Sequence, residues 1–117
     1  MFRKARGRYA ENIAVRFLKR KGFKVVDRNF LCRFGEIDLI AKDRGEIAFV
    51  EVRSTNGLFF HDPLESITYR KMEKLKKTAL FWLMGYKGKE CGVRFDVVAI
   101  VFLENDGFQI RYIKDAF

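Results

Sequence analysis

One proline, one histidine and two cysteines are all that 117 residues contain of these types. Cys32 and Cys91 stand far apart, with neither a CxxC partner nor a histidine pairing. They argue against a zinc site, give little support to a disulfide, and read as reduced packing residues. His61, alone beside a helix start, reads as a local hydrogen-bonding residue rather than a catalytic base. With Pro63 the sole proline and no Gly-rich linker or repeat, the chain is expected to form one domain over residues 1–117. The longest apolar runs, 79–84 and 97–103, fall well short of the roughly 20 residues that span a bilayer. No signal peptide is visible, so a cytoplasmic protein without membrane association is expected.

Acidic residues are also in deficit, 15 against 24 basic ones, for a net charge of +9. The excess is concentrated before residue 25. Arg3, Lys4, Arg6, Arg8, Arg16, Lys19, Arg20, Lys21 and Lys24 face only Glu11 there, a local charge of +8. Phosphate backbones are the usual polyanionic partner of such a patch, although a membrane surface or simple solubility would also account for it.

What is present is a stretch of alternating character, GEIDLIAKDRGEIAFVEVRS at residues 35–54. It reads as two strands facing each other across an Arg44-Gly45 turn. With Asp43 opposite Glu46, stepping outward along the ladder sets Asp38 opposite Glu51 and Glu36 opposite Arg53. Directly opposed like charges are destabilising. Either a hard divalent cation such as Mg²⁺ relieves the Asp38–Glu51 pair, or both carboxylates are solvated on an exposed face.

The rest of the chain follows from periodicity. Ala10, Ile13, Ala14, Phe17 and Leu18 repeat at helical spacing from about residue 3 to 21, and Gly22 ends that helix. Glu11 borders the stripe, about 20° from Leu18 at 100° per residue. It either reaches over a sheet edge or pairs with a neighbour such as Arg8. Residues 23–30 read as a strand, with Asn29 beginning the connection to the hairpin. In the loop at 54–61, Leu58, Phe59 and Phe60 read as residues that tuck against the sheet in preference to contacting a base or a partner. Asp62-Pro63-Leu64-Glu65 is a helix-start signal, and the helix runs to about Met84. Lys71 lies about 40° from the centre of that helix's apolar stripe. It is either a snorkelling side chain or a cation held near the hairpin carboxylates. Residues 94–102 read as a buried strand parallel to 46–53. Asn105-Asp106-Gly107 turns into an edge strand at 108–113, protected by Arg111 and Lys114. Asp96 reads as a structural acceptor for Arg94 or a backbone group in preference to a metal ligand.

The order helix, three-strand antiparallel meander, helix, strand, with an acid on the second strand and Glu-x-basic on the third, resembles the core of the PD-(D/E)xK nuclease superfamily. More closely, the chain resembles the YraN-like family of predicted endonucleases, related to archaeal Holliday-junction resolvases. The likeness rests on Gly7-x-x-x-Glu11-x-x-Ala14, Gly22-Phe23, Arg28-Asn29, Gly35-Glu36-Ile37-Asp38-Leu39-Ile40, Phe49-Val50-Glu51-Val52-Arg53, Lys71 and Arg94-Phe95-Asp96-Val97-Val98. It implies an α/β, restriction-endonuclease-like core with a mixed sheet and a C-terminal edge strand. It also implies a Mg²⁺ or Mn²⁺ site from Asp38, Glu51 and the carbonyl of Val52, with Glu11 as a further acid.

Two departures stand out: Ile37 replaces the motif's proline, and Arg53 replaces its lysine. Arginine stays protonated and cannot act as a base, though its fork of donors can stabilise charge on phosphate. Lys71 is then the residue that could supply the missing lysine.

The resulting expectation is a metal-dependent endonuclease for DNA, RNA not being excluded, with a preference for branched structure taken from the resemblance alone. Arg3, Lys4, Arg6, Arg8, Arg16, Lys19 and Arg20 would hold flanking backbone. Cutting two strands implies two sites and a two-fold homodimer. The rival readings are a non-catalytic nucleic-acid-binding module on the same fold, and an interaction subunit docking through Leu80–Phe81 and the 58–60 loop.

Overall fold

A computed structural model describes residues 3–56, 63–89 and 92–117. Leu58, Phe59, Phe60, His61, Asp62 and Cys91, on which several sequence expectations fall, lie outside the described residues. Helix α1 (Arg3–Arg20) is followed by strands β1 (Lys24–Cys32), β2 (Gly35–Asp43) and β3 (Glu46–Asn56). A 3-10 turn (Pro63–Ser66) precedes helix α2 (Tyr69–Met84), and β4 (Gly92–Phe102) and β5 (Phe108–Ile113) complete the chain. The five strands form one sheet in chain order, parallel only between β3 and β4. The α/β class, the meander, the parallel return and the C-terminal edge strand all agree with expectation and are compatible with a restriction-endonuclease-like core.

The sheet is covered on both faces. Ala10, Ile13, Ala14 and Leu18 of α1 pack with Leu39, Ala41, Ala48, Val50, Val98 and Ile100. Leu75 and Ala79 of α2 pack with Ile37, Ile40, Ile47 and Phe49 on the other side. Alternation along β3 divides these sets cleanly, even positions toward α1 and odd toward α2. β2 does not alternate throughout, because Ile37 faces α2 whereas Leu39, two residues on, faces α1. The slip falls on Asp38.

Helix α2 differs from the sequence expectation at its start. Asp-Pro-Leu-Glu was expected to open the long helix, but Pro63–Ser66 forms a separate turn and α2 begins at Tyr69. The cap is Thr68, extended in backbone, whose hydroxyl accepts from Lys71 N–H at 3.1 Å. Proline's fixed φ and the acid three positions after Asp62 suit any tight right-handed turn, so that local signal does not specify the helix that follows.

Candidate active site

The hairpin tip forms as the sequence indicates. Arg44 and Gly45 both adopt positive φ, 47° and 84°, the mirror-image turn that matches strand twist. Asp43 pairs with Glu46, and the ladder steps outward through Lys42–Ile47, Ala41–Ala48 and Ile40–Phe49 to Leu39–Val50. There it ends. The expected pairings of Asp38 with Glu51 and of Glu36 with Arg53 are not made as ladder pairs, because β2 leaves β3 at the point where its facing slips. On its other side β2 also skips a pair at Asp38, opposite Asn29, whose φ is 52°. Asn29 lies within β1 rather than opening the connection that follows it.

The two strands stay connected at this fork through a side chain. Val52 N–H donates to Asp38 Oδ2 at 2.8 Å, so a carboxylate occupies the role that a β2 carbonyl would have had. A residue's N–H and C=O leave a strand on the same side, which directs the Val52 carbonyl toward Asp38 as well. Burial raises the Asp38 carboxyl from its ordinary 3.8 to about 7. Repulsion from Glu51, and less from Glu11 and Glu36, adds to this, while the bond from Val52 opposes it. Glu11 of α1 therefore lies close enough to be felt at the fork.

Glu51, its side chain only 10% exposed, faces the start of α2, where Lys71 Nζ lies 3.3 Å from its Oε1. The inward reading of Lys71 holds, and helical spacing from Leu75 is what aims it there. Arg53 does not pair with Glu36. Its Nη2 donates to Ser66 O at 3.1 Å, while its Nε lies 3.9 Å from Glu51 Oε1, buried and without a hydrogen-bond partner among the described residues. A buried guanidinium nitrogen left unbonded is costly and matches a site that expects an anionic oxygen.

Among the described residues, no three acidic, histidine or cysteine side chains converge as a metal cage. A cation here would rest on the Asp38 and Glu51 carboxylates with main-chain oxygen. That hard, sparse donor set suits Mg²⁺, which commonly uses one or two carboxylates and completes its shell with water and substrate phosphate.

The other candidate residues divide by position. Arg8, Arg16, Lys19 and Arg20 are exposed on α1, and only the backbone is described for Arg3, Lys4 and Arg6. The last turn of α1 lies toward the hairpin tip, with Lys21 Nζ 5.4 Å from the Tyr112 ring. Arg16, Lys19 and Arg20 thus lie at the end of the helix away from Glu11, about 13 Å along the axis at Arg20. Asp96 proves to be the structural acceptor expected of it. Arg94 Nε donates to Asp96, its Nη1 to Glu46 at 2.8 Å and its Nη2 to Asp43 at 2.8 Å. Tyr112 Oη and Asp115 N–H add bonds to the same Asp96 carboxylate. Asp43 and Glu46 escaped notice as partners because about 50 residues separate them from Arg94 in the chain.

Comparison with known proteins gives the chain its relatives. Residues 10–100 match the model described as "Uncharacterised protein family UPF0102". A UPF0102 protein of Persephonella marina is 44% identical, the alignment covering 100% of this chain and 97% of the relative. One from Caldicellulosiruptor saccharolyticus is 42% identical over 95% of each chain, and one from Nocardia farcinica 39% identical over 98% of this chain and 91% of the relative. The matched region runs from the acid of α1 through the fork and α2 into β4, so the chain that builds this site belongs to the UPF0102 family.

Proposed function

We propose that the protein is a Mg²⁺- or Mn²⁺-dependent endonuclease of the PD-(D/E)xK kind, hydrolysing DNA phosphodiester bonds with a preference for branched or distorted strands. The observation that carries this reading is the fork itself, where Asp38 and Glu51 converge at the end of a ladder with Lys71 and an unbonded Arg53 nitrogen beside them. Asp38, Glu51 and the Val52 carbonyl would hold the cation, which supplies Lewis acidity toward the phosphoryl oxygen and acidifies an attacking water. The chain's own contribution is placement and charge. Val52 N–H fixes one Asp38 oxygen and so orients the other. Lys71 and Arg53 flank Glu51 and offset the charge that grows on the phosphoryl oxygens as water attacks phosphorus and the P–O ester bond breaks. Glu11 approaches from α1, and Arg8 and the rest of the basic helix hold flanking backbone. A two-fold homodimer would present two such sites to two strands.

A second reading, a non-catalytic nucleic-acid-binding module, is favoured by one observation: Arg53, at the motif's lysine position, spends a donor on Ser66 O. Cleavage of labelled linear, flapped, forked and four-way DNA, and of RNA, with Mg²⁺ or Mn²⁺ decides between the two. The nuclease reading expects metal-dependent cutting that Glu51→Gln abolishes. Metal-independent binding with no cutting of any substrate would establish the module instead.

A further inference from the structure

A second surface lies on the α2 side of the sheet, beyond the fork. Phe81 of α2 meets Phe34 of the β1–β2 turn at 6.2 Å and Phe30 of β1 at 6.3 Å between ring centroids. The next residue, Trp82, stacks on Tyr86 at 4.8 Å. Between these rings runs a groove of about 320 Å³, lined by Asp27, Phe30, Phe81, Trp82, Gly85 and Tyr86, within the size range of small-ligand sites. Phe81 is 43% exposed, a degree of apolar exposure that packing of this chain alone does not require.

The charges around the groove differ from those inside it. Arg33 Cζ lies 4.8 Å from the Phe34 ring and Lys42 Nζ 5.5 Å from the Tyr86 ring, so cations stand at the rim. Among the described residues the only acid lining it is Asp27, which accepts from Trp82 Nε1 at 3.0 Å and from Arg28 N–H at 2.9 Å. A carboxylate there repels phosphate and accepts from the amino and imino groups of a base edge, while the rim attracts backbone phosphates.

We infer that this aromatic groove binds an unpaired nucleobase of the strand whose phosphate lies at Asp38 and Glu51. The inference deepens the nuclease reading and rests on its strand-binding part. Position supports it. A shallow pocket lined by Gly35, Glu36, Lys71, Lys74, Leu75 and Thr78 lies between the fork and Phe34, with two lysines along it. Lys71 and Phe81 are ten residues apart on one helix, about 15 Å. That is some four nucleotides at the 3.4 Å stacked spacing and fewer when the strand is extended. Every base has a π face, so stacking here selects unpaired structure rather than sequence.

Trp82 is the only tryptophan and lines the groove, so it reports occupancy directly. The full-length protein in EDTA is titrated with a thymidine dodecamer and with an abasic dodecamer of equal charge, following tryptophan fluorescence. The expected result is quenching by the thymidine strand alone and binding about tenfold tighter than to the abasic strand. Phe81→Ala should remove that advantage while leaving abasic affinity unchanged. Tyr86→Ala, at a residue that lines the groove beyond the end of α2, provides the same readout if Phe81→Ala loses its circular dichroism. Equal affinity for both strands without quenching, or variants that weaken both equally, overturns the inference and leaves the face to a protein partner. Base-dependent binding without cleavage of any substrate would sink the nuclease reading and leave the groove standing. Cleavage without base dependence would do the reverse.

Discussion

The hairpin at residues 35–54 carries acids at both ends, and the two ends treat them differently. At the tip, Asp43 and Glu46 meet Arg94, 3% exposed, which also takes Asp96, and every guanidinium nitrogen has an acceptor. At the fork, Asp38 and Glu51 converge with, among the described residues, only Lys71 and a poorly placed Arg53 to offset them, and one Arg53 nitrogen has no acceptor among those residues. A satisfied network fixes a structure, whereas an unsatisfied one retains electrostatic free energy that a ligand can release. The contrast teaches that acid content alone does not mark a site; incomplete neutralisation does.

Breaking the closed end should have the largest effect. Arg94→Met leaves Asp96 and Asp43 without their counter-ion, and a loss of about 4 kcal/mol in urea-induced unfolding is expected. Removing the cation of the open end should instead leave the fold alone. Lys71→Ala is expected to cost less than about 1 kcal/mol of stability, its side chain being 37% exposed. Yet it should lower cleavage of four-way DNA by about 100-fold, as loss of one charge-stabilising donor does. If Lys71→Ala unfolds as readily as Arg94→Met, the distinction between the ends fails.

The open end also makes a pH prediction. Asp38 is raised in the folded state, so between its ordinary 3.8 and about 7 the folded chain keeps a proton that the unfolded chain releases. Its contribution to stability is therefore largest below pH 4 and is lost as pH rises toward 7. Asp38→Asn keeps an acceptor for Val52 N–H and should stabilise the metal-free protein by about 2 kcal/mol at pH 8, with no gain at pH 4. Mg²⁺ should raise the thermal midpoint of the native protein at pH 8 and leave that variant unmoved. The smallest effect concerns the helix that delivers Lys71. Thr68→Ala removes its cap and should cost about 1 kcal/mol, read by thermal unfolding.

Much of this contrast could be read from the sequence in advance. Arg44-Gly45 between alternating runs located the tip, and helical spacing from Leu75 turned Lys71 inward. Asp96 two residues from Arg94 on one strand face made a local pair legible. What escaped was non-local. The residues flanking Asp38 look like regular strand, so nothing in Gly35–Asp43 announces that β2 slips its facing and leaves β3. That departure is decided by the packing of Ile37 under α2 rather than by any residue's own preference. The two tip acids could not be assigned to Arg94 for a similar reason, since only the parallel pairing of β3 with β4 brings them together. The cap of α2 was misplaced because a proline-led turn and a helix share their first dihedral angles.

The outer strand has a consequence for how the protein behaves in a crowded solution. An extra residue interrupts β1 between Val25 and Asp27, and Asn29 then turns it again. A straight border strand with exposed Leu31 would offer a flat row of amides on which another chain could add. Two bends within four residues deny that template, so the distortion that shapes the fork also guards the protein against edge-to-edge aggregation.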